Sequence, residues 1–429
     1  MKNGLKNFKE INPNVIKYAV LRFLVTGAIQ MLTVCVGFEL WEITKSTTWL
    51  AMSGLILFLP KVVFILPTGM VADKFDRRRI ISVTQTIIFI SALLLGISSY
   101  GNWLTPALCL VLIFCYGTAF AFEAPAMTAL LPVLTSRKTL AQAQATVSSL
   151  TQLATIIFPA IAGFLYVFGP QVVYWTISVF NIICVILSFL IKIPIKEKDG
   201  LIIDKYGQKV KLEPSEEVKA RLESPLAGFR YIWHHKGILG AISLDMFAVL
   251  FGGVTALLPV YATDVLHVGA QGLGFLRAAP AIGAVVTAVF LVSHPLRKKT
   301  GKILFCMVGI YGIMTLIFAM SNIFAISMVA LIILGAADQF SVVIRQTYTQ
   351  LKTPDEVRGR VSAVNTVFIG ASNQLGEFES GMVATGFSSL GGFAVGAIPA
   401  AFVGGCCTLV VTALWYRLFP DLRNLESLK

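Results

Sequence analysis

The chain has 429 residues, of which 56% are hydrophobic and only 13% are charged. These proportions exclude an ordinary soluble protein, because a soluble core has no room for so much apolar surface. The formal net charge of +13 does not require a nucleic-acid partner, since lysines and arginines also orient membrane proteins and contact anionic lipid headgroups. We therefore predict an all-α, polytopic membrane protein.

Apolar stretches long enough to cross a membrane, roughly 20 residues each, follow one another along the whole chain. Lysines and arginines collect in alternate connections, whereas the opposite connections hold only Lys45. Because positive residues remain on the cytoplasmic side, both termini are predicted to be cytoplasmic. The twelve predicted spans are 15–40, 49–72, 79–99, 104–131, 141–167, 171–194, 237–262, 272–294, 301–320, 323–351, 361–388 and 391–419.

Two segments of the chain repeat each other weakly. The segment 54–79 contains a glycine, then a proline, and closes on three arginines; the segment 274–299 repeats the glycine, the proline and a closing cluster of three cations. Duplicated sets of spans are typical of secondary transporters, which bind substrate between the repeats near the bilayer midplane. We predict an N-terminal six-helix half over 1–195 and a C-terminal six-helix half over 237–429, related by pseudo-symmetry.

Residues 196–236 connect the two halves. The polar part, 196–224, mixes lysine and glutamate with glycine and proline, which predicts a flexible cytoplasmic linker. In 225–236, apolar residues at helical spacing oppose cations, which predicts a helix lying along the membrane surface. The other connections are short and no G-x-x-x-x-G-K-[ST] phosphate loop occurs, so neither an enzyme nor an ATP-driven pump is expected. No cofactor or metal site is expected either.

The loop 69–78, with the sequence GMVADKFDRR, resembles the signature G-x-x-x-D-[RK]-x-G-[RK]-[RK] of the major facilitator superfamily, with Asp76 in place of the second glycine. The segments 345–365, 371–381 and 415–423 resemble the branch that contains the enterobactin exporter and the transmembrane secretion effector permeases. The resemblance covers the whole chain. It implies a twelve-helix transporter in the inner membrane of a bacterium.

The resemblance also assigns the loop to an intracellular gate. Its motif residues here are Gly69, Asp73, Lys74, Arg77 and Arg78. Asp73 is expected to accept backbone N–H groups at the N-terminus of span 11, where the helix dipole favours an anion. The alternative is that the arginines only orient the chain in the membrane.

Ionisable groups inside spans are functional candidates, because burying a charge in the bilayer costs free energy. In the facilitator fold, spans 1, 4, 7 and 10 line a central cavity, and they carry Arg22, Glu123, Asp245 and Arg345 at one depth, roughly 10 Å inside the cytoplasmic boundary. We predict that the four form a layer that closes the cytoplasmic side and weakens when Glu123 or Asp245 is protonated. Asp338 would relay a proton or pair with a cationic substrate. The alternatives are a static ion-pair network and, for Arg22, snorkelling toward the headgroups.

A second pairing follows from depth. Lys61 in span 2 lies about as far from the outer face as Glu377 and Glu379 in span 11, and these spans face each other in the facilitator fold. We predict that Lys61 bridges to Glu377 or Glu379 when the outer side is closed. The alternative is a partner for Lys61 within its own half.

These features together predict a secondary active transporter that works by alternating access. It would export an amphipathic small molecule, such as a siderophore, a drug or another metabolite, in exchange for protons. Import of a siderophore-like molecule is the main alternative, and a non-transporting membrane sensor or enzyme is a remote one. The expected partners are the small-molecule substrate, protons and membrane lipids, with no nucleic acid, and the expected state is a monomer.

Overall fold

The computed structural model describes residues 13–135, 139–192, 201–203, 209–211, 227–293, 299–388 and 393–426. Nearly all of them are helical, which confirms the predicted all-α class. The helices are α1 (Pro13–Thr44), α2 (Thr47–Val63), α3 (Ile65–Lys74), α4 (Arg77–Tyr100), α5 (Pro106–Leu134), α6 (Leu140–Tyr166), α7 (Pro170–Leu190), α8 (Ala227–His234), α9 (Lys236–Phe251), α10 (Gly269–Ser293), α11 (Thr300–Met320), α12 (Phe324–Lys352), α13 (Asp355–Ser388), α14 (Phe393–Leu418) and α15 (Pro420–Arg423).

Local sequence signals explain several helix starts. Asp76 caps α4, because its side chain accepts a hydrogen bond from the backbone N–H of Arg78. Thr105 caps α5 by accepting from Leu108 N–H at 3.3 Å. The chain turns into α7 at Gly169, whose φ of +108° strains any residue with a Cβ.

Ten helical segments of the described chain are long and apolar enough to cross a membrane, when α9 and the short turns after it, Lys236–Val265, are taken as one segment. The predicted span 49–72 is not among them, because it is divided at Phe64 into α2 and α3. Pro60, one turn before the division, cannot donate a backbone hydrogen bond and weakens the helix there.

The predicted span 361–388 is also absent from these ten. It corresponds to α13, which starts earlier than predicted, at Asp355, and has 34 residues. Its middle carries Asn373, Gln374, Glu377 and Glu379. These polar side chains lower the hydropathy of the helix, and several of them face protein or a cavity, as described below.

The predicted span 237–262 is a broken helix. Regular α9 ends at Phe251, and the chain continues through short turns, Val254–Leu257, Leu258–Val260 and Tyr261–Val265. At the break, Gly253 packs against the backbone of Gly376 in α13, at a distance that leaves no space for a Cβ. Such irregular backbone is tolerated at membrane depth where it lines a cavity or packs on protein.

The connection between the halves contains regular structure where the sequence predicts a flexible linker. Strands β1 (Leu201–Ile203) and β2 (Lys209–Lys211) pair antiparallel, with Ile202 opposite Val210. Helix α8 follows, within the segment expected to be helical. Its Tyr231 hydroxyl donates to the Lys352 carbonyl at 2.9 Å, and this bond ties α8 to the end of α12.

We refer to α1–α7 as the N-terminal half and to α9–α15 as the C-terminal half, with α8 in the connection between them. The most extensive helix contacts between the described parts of the halves are those of α2 with α13 and of α6 with α10. At the second crossing, Gly163 lies against the Ala270 backbone and Gly274 against the Pro159 backbone. These glycines let the helices approach closely, which is how small residues act between membrane helices.

The two ends of the helix bundle differ. We call the end where α1 passes into α2 the closed end, and the end where α1 begins and α14 stops the terminal end. At the closed end one hydrophobic cluster continues across both halves and includes Trp41, Phe158, Tyr261 and Leu273. Toward the terminal end the described core separates into one cluster in the N-terminal half and another in the C-terminal half.

Hydrogen bonds join the halves at the closed end. Trp41 Nε1 donates to Thr263 Oγ1 at 2.8 Å. The hydroxyl of Thr385 lies 2.7 Å from that of Thr47 and 2.9 Å from that of Thr48. The structure therefore represents a state in which this end is sealed by both apolar packing and hydrogen bonds.

Candidate functional site

A cavity of about 430 Å³ lies between the two halves. Helices α1, α6, α10, α12 and α13 contribute to it, as does the break after α9. The polar residues of its lining are Gln30, Gln152, Thr155, Thr255, Arg277, Tyr311, Asp338, Asn373, Gln374 and Glu377. This volume and mixed lining are suited to a small molecule with several polar groups.

A smaller cavity of about 90 Å³ lies nearer to α2. It shares Arg277, Gln374 and Glu377 with the larger cavity, and the rest of its lining is mostly apolar. These three residues, from α10 and α13, therefore lie at the junction of the two spaces. One carboxylate oxygen of Glu377 accepts from Thr255 Oγ1 at 3.0 Å.

Asp245 in α9 and Arg345 in α12 form a buried ion pair. Asp245 Oδ2 and Arg345 Nη1 are 2.5 Å apart, and their side chains are only 9% and 6% exposed. Arg345 Nε also donates to Ser341 Oγ at 3.0 Å, whereas Nη2 is buried and has no hydrogen-bond partner among the described residues. Asp338 interacts electrostatically with both members of the pair and lines the central cavity. This arrangement connects the cavity to a buried ion pair through a second carboxylate.

Glu123 in α5 is bound by an amide instead of a cation. Gln85 Nε2 in α4 donates to both carboxylate oxygens of Glu123, at 2.9 and 2.8 Å, and both side chains are almost fully buried. Arg22 in α1 is close enough to interact electrostatically with Glu123, but within the described part of the chain its buried Nε has no hydrogen-bond partner. A buried carboxylate held by a neutral donor can gain or lose a proton without breaking an ion pair.

The four charges expected to form one layer thus occupy two groups. Arg22 and Glu123 interact within the N-terminal half, and Asp245 pairs with Arg345 within the C-terminal half. In this state the described residues show no ion pair that joins the two groups across the halves. The layer requires the halves to approach each other at the terminal end, so it remains a prediction for a different conformation.

Lys61 contacts its own half in this state. Its Nζ lies 4.8 Å from the ring centroid of Phe120 in α5, and among the described residues it forms no ion pair with Glu377 or Glu379. The register of α2 against α13 explains the difference from the predicted bridge. Glu377 meets α2 at Gly54, which is two helical turns, or roughly 10 Å, from Lys61.

Equal counts from the helix ends did not give equal depth. Helix α13 extends beyond the first turn of α2, since Thr385 already contacts Thr47. The carboxylate of Glu379 accepts from the hydroxyl of the neighbouring Ser380 at 3.4 Å. Neither acid reaches Lys61 while the closed end is sealed in this register.

The loop 69–78, which we call the basic loop, is hydrogen-bonded to other parts of the N-terminal half. Arg77 Nη1 donates to the Ala129 carbonyl of α5 at 3.2 Å, and Arg78 Nη1 donates to the Ile191 carbonyl after α7, also at 3.2 Å. Arg78 further pairs with Asp76 at 2.8 Å, so the residue that replaces the expected glycine caps α4 and holds a motif arginine. Gly69 and Lys74 lie in α3, and the side chain of Asp73 falls outside the described part of the chain.

Several functional candidates were not singled out in the sequence. Arg277 lies inside a span, and that position alone marks it as a candidate. The amides of Gln30, Gln152, Asn373 and Gln374 lack such a signal, because a neutral amide in a span also occurs in ordinary helix packing. Only the fold shows that they share a cavity with Arg277.

A further buried carboxylate lies near the closed end. Glu39 in α1 accepts from Ser99 Oγ and from the Tyr174 hydroxyl, both at 2.6 Å. One turn of α1 farther on, Glu42 accepts from the Tyr166 hydroxyl at 2.7 Å. These contacts join α1 to α4, α6 and α7, and they stiffen the part of the N-terminal half that carries Trp41.

Comparisons with curated proteins give relatives along almost the full chain. The enterobactin exporter EntS of Escherichia coli O6:K15:H31 (strain 536 / UPEC) is 25% identical over 95% of this chain and 92% of its own length. The enterobactin exporter EntS of Citrobacter koseri (strain ATCC BAA-895 / CDC 4225-83 / SGSC4696) is 26% identical with the same coverage.

Solved structures share the fold at low sequence identity. A bacterial homolog of the human lysosomal transporter Spinster, in an inward-facing and unoccupied conformation, has a TM-score of 0.70 and 14% identity, over 96% of this chain and 98% of that one. A bacterial homologue of the iron transporter ferroportin, in an inward-facing state, has a TM-score of 0.65 and 15% identity, over 94% and 98%.

The sequence profile of the Major Facilitator Superfamily matches residues 18–377. This region includes the basic loop, both buried charge groups and the lining of the central cavity. The family resemblance found in the sequence is therefore confirmed by profile, by relatives and by fold. The chain belongs to the major facilitator superfamily, a family of membrane transporters of small molecules.

Proposed function

We propose that this chain is a proton-coupled exporter of an amphipathic small molecule and works by alternating access. The observation that carries the proposal is the central cavity between the halves, with Asp338 in its wall next to the Asp245–Arg345 pair. A cavity between two halves is where transporters built from repeats bind their substrates. The adjacent carboxylates supply a place for the coupling proton.

The state described here is inward-facing in this proposal. The distribution of lysines and arginines supports a cytoplasmic location for the terminal end. The halves contact each other at the opposite, closed end, through Trp41 with Thr263 and through Thr47 with Thr385. The substrate would enter the cavity from the cytoplasm and leave after the closed end opens.

Proton coupling follows from the buried charges. An uphill exporter without an ATP site must use an ion gradient. Protonation of Asp245 removes the negative charge that pairs with Arg345 and weakens the electrostatic attraction that holds α9 to α12. Asp338 lies in α12 itself, so its protonation instead removes its repulsion of Asp245. Glu123 offers a second protonation site in the other half, where Gln85 binds it without a compensating cation.

The likeness to enterobactin exporters over 95% of the chain supports a siderophore-like molecule among the candidate substrates. The lining of the central cavity supports the same class of candidate substrates, because its amide, hydroxyl and charged groups lie among apolar residues such as Val249, Leu331 and Leu334. Drugs and other amphipathic metabolites have the same mixed character. The proposed cellular location of the protein is a bacterial inner membrane.

The test is uptake into everted membrane vesicles that contain the protein, with an imposed pH gradient and a panel of siderophores and amphipathic dyes. The proposal predicts that at least one compound accumulates in the vesicles and that accumulation collapses with the gradient. Vesicles with the Asp338→Asn variant should equilibrate the same compound without accumulating it. Equilibration by the wild type regardless of the gradient would contradict coupling, and accumulation only in right-side-out vesicles would show import.

A further inference from the structure

We propose that Arg277 is the anion-recognition residue of the central cavity, and that the transported molecule carries a carboxylate or another oxyanion among its amide-bonding and hydroxyl-bonding groups. This inference rests on the proposed transport function and narrows its substrate class. A lipophilic cation without such groups would leave Arg277 without a bound anion.

The guanidinium of Arg277 lies between the halves without a fixed anion. Its Nε is buried without a hydrogen-bond partner, and no ion pair of Arg277 occurs among the described residues. A Cβ placed on Gly37 of α1 would lie 3.7 Å from Arg277 Nη2, so the group extends from α10 of one half to α1 of the other. It lines both cavities.

An unpaired arginine in this position is costly. A buried donor without an acceptor costs free energy, and a charged donor costs more than a neutral one. A planar guanidinium also presents paired N–H groups that match the two oxygens of a carboxylate. A bound oxyanion would therefore satisfy a group that the protein itself leaves unsatisfied.

The two acids of the cavity do not take this role. Glu377 interacts electrostatically with Arg277, but its carboxylate accepts from Thr255 and lies against Gly54 of α2. Asp338 lies with the Asp245–Arg345 pair instead. A substrate oxyanion would compete only with the longer-range attraction of Glu377, which leaves binding reversible.

Four amides surround the same space. The hydrogen bonds found among the described residues use none of the side-chain amides of Gln30, Gln152, Asn373 and Gln374, all of which line the larger cavity. Each amide offers both donors and an acceptor. They are suited to a molecule with its own amide or hydroxyl groups, and they come from α1, α6 and α13, so such a molecule would touch both halves.

The internal repeat indicates that Arg277 has a specific role. Gly54 in α2 corresponds to Gly274 in α10, so the position of Arg277 corresponds to Leu57. Leu57 lines the smaller cavity together with Arg277. One repeat thus places an apolar group and the other a cation at equivalent positions, and the cavity receives a single unpaired guanidinium from this pair.

The test uses the source strain without the gene, complemented with wild type, Arg277→Gln, Arg277→Lys or Arg417→Gln. The last variant is a matched control, because Arg417 is an exposed cation at the end of α14, outside the cavity. Mass spectrometry of medium and cell extracts identifies the compounds whose export depends on wild type, and electrophoresis at neutral pH gives their charge. Each compound found is then esterified and compared with its free acid in everted vesicles.

The inference predicts that the exported compounds are anionic, that Arg277→Gln lowers their export by about tenfold or more, and that Arg277→Lys retains part of it. Wild type should transport the free acid better than the ester, and Arg277→Gln should lose this preference. The ratio of acid transport to ester transport does not depend on the amount of folded protein. Neutral or cationic compounds, or an unchanged acid-to-ester ratio in Arg277→Gln, would overturn it. If wild type changes the export of no compound, the proposed transport function itself fails, and the inference fails with it.

Discussion

Asp245 and Arg345 form a 2.5 Å ion pair that joins α9 to α12 inside the C-terminal half. The pair lies beside Asp338, which opens onto the central cavity. Three ionisable side chains therefore connect the space for a substrate to a contact between two helices. Protonation of Asp245 would leave Arg345 buried without its ion-pair partner, whereas protonation of Asp338 would leave the pair intact.

Truncation of one member of this pair should be strongly destabilising. Asp245→Ala leaves Arg345 buried without its carboxylate, and we expect a loss of about 3–5 kcal/mol. The double variant Asp245→Leu with Arg345→Met removes both charges and should recover most of that loss. Thermal unfolding in detergent measures both, and a single variant as stable as the double variant would show that the pair is not held together in the protein.

The amide at Glu123 gives a different prediction. Gln85→Ala removes both donors from a buried carboxylate and should destabilise the folded protein by about 1–3 kcal/mol. Glu123→Gln keeps the group polar but removes the charge that Gln85 stabilises. The double variant Gln85→Ala with Glu123→Gln should therefore be less destabilised at neutral pH than the sum of the two single variants. Unfolding measurements on all three variants give the coupling energy, and simple additivity would contradict a direct contact.

The cap of α4 gives a prediction for pH. The Arg78 side chain beside Asp76 holds the pKa of that carboxyl below its ordinary value of 3.8. Because the folded pKa is the lower one, the stabilising contribution is present above the unfolded value and is lost as the pH falls through the folded pKa. The carboxylate is partly exposed, so we expect at most about 1 kcal/mol from its charge.

Asp76→Asn is the matched variant, since asparagine also caps helices but carries no charge. The difference in thermal unfolding between wild type and Asp76→Asn should be largest near pH 6 and should shrink as the pH approaches 3. Asp76→Ala also loses the cap itself, which costs a further 0.5–2 kcal/mol by a rough estimate. A difference that grows on acidification would mean that Asp76 is not stabilised as a carboxylate.

A disulfide should lock the closed end. The hydroxyls of Thr47 and Thr385 are 2.7 Å apart across the two halves, so cysteines at both positions, in a background without the native cysteines, should oxidise readily. Transport should then stop and return on reduction. The single variants Thr47→Cys and Thr385→Cys serve as controls, and full transport by the oxidised double variant would show that this end need not open.

The sequence predicted the fold class, the family and most of the helices, because hydropathy and positive charge depend on composition that each segment carries by itself. Its errors fall where a helix is divided or polar. Pro60 and Phe64 break one predicted span. Gly252 and Gly253 break another, where the fold needs a close backbone contact between Gly253 and Gly376. Local hydropathy contains no information about that contact.

The candidate site was less accessible from sequence. Depth counting placed Asp245 and Arg345 at one level, and the structure pairs them. The same counting misjudged Lys61 and Glu377, because it assumed that the start of α2 and the end of α13 lie at the same depth. In the structure Glu377 instead meets α2 at Gly54, two turns from Lys61. The partnership of Glu123 with Gln85 could not be predicted either, since one glutamine among many polar residues in spans has no distinguishing pattern.

The most direct test of alternating access driven by protons needs no substrate. Spin labels at Lys45 and His267 would report the distance between the halves at the closed end, and labels at Lys192 and Lys352 would report it at the terminal end. All four residues are exposed. Pulsed electron double resonance on the purified protein in lipid measures both distances. Lowering the pH should shift the populations so that one distance lengthens as the other shortens. The double variant Asp245→Asn with Asp338→Asn should abolish this shift. Distances at both ends that stay single and independent of pH would contradict the account.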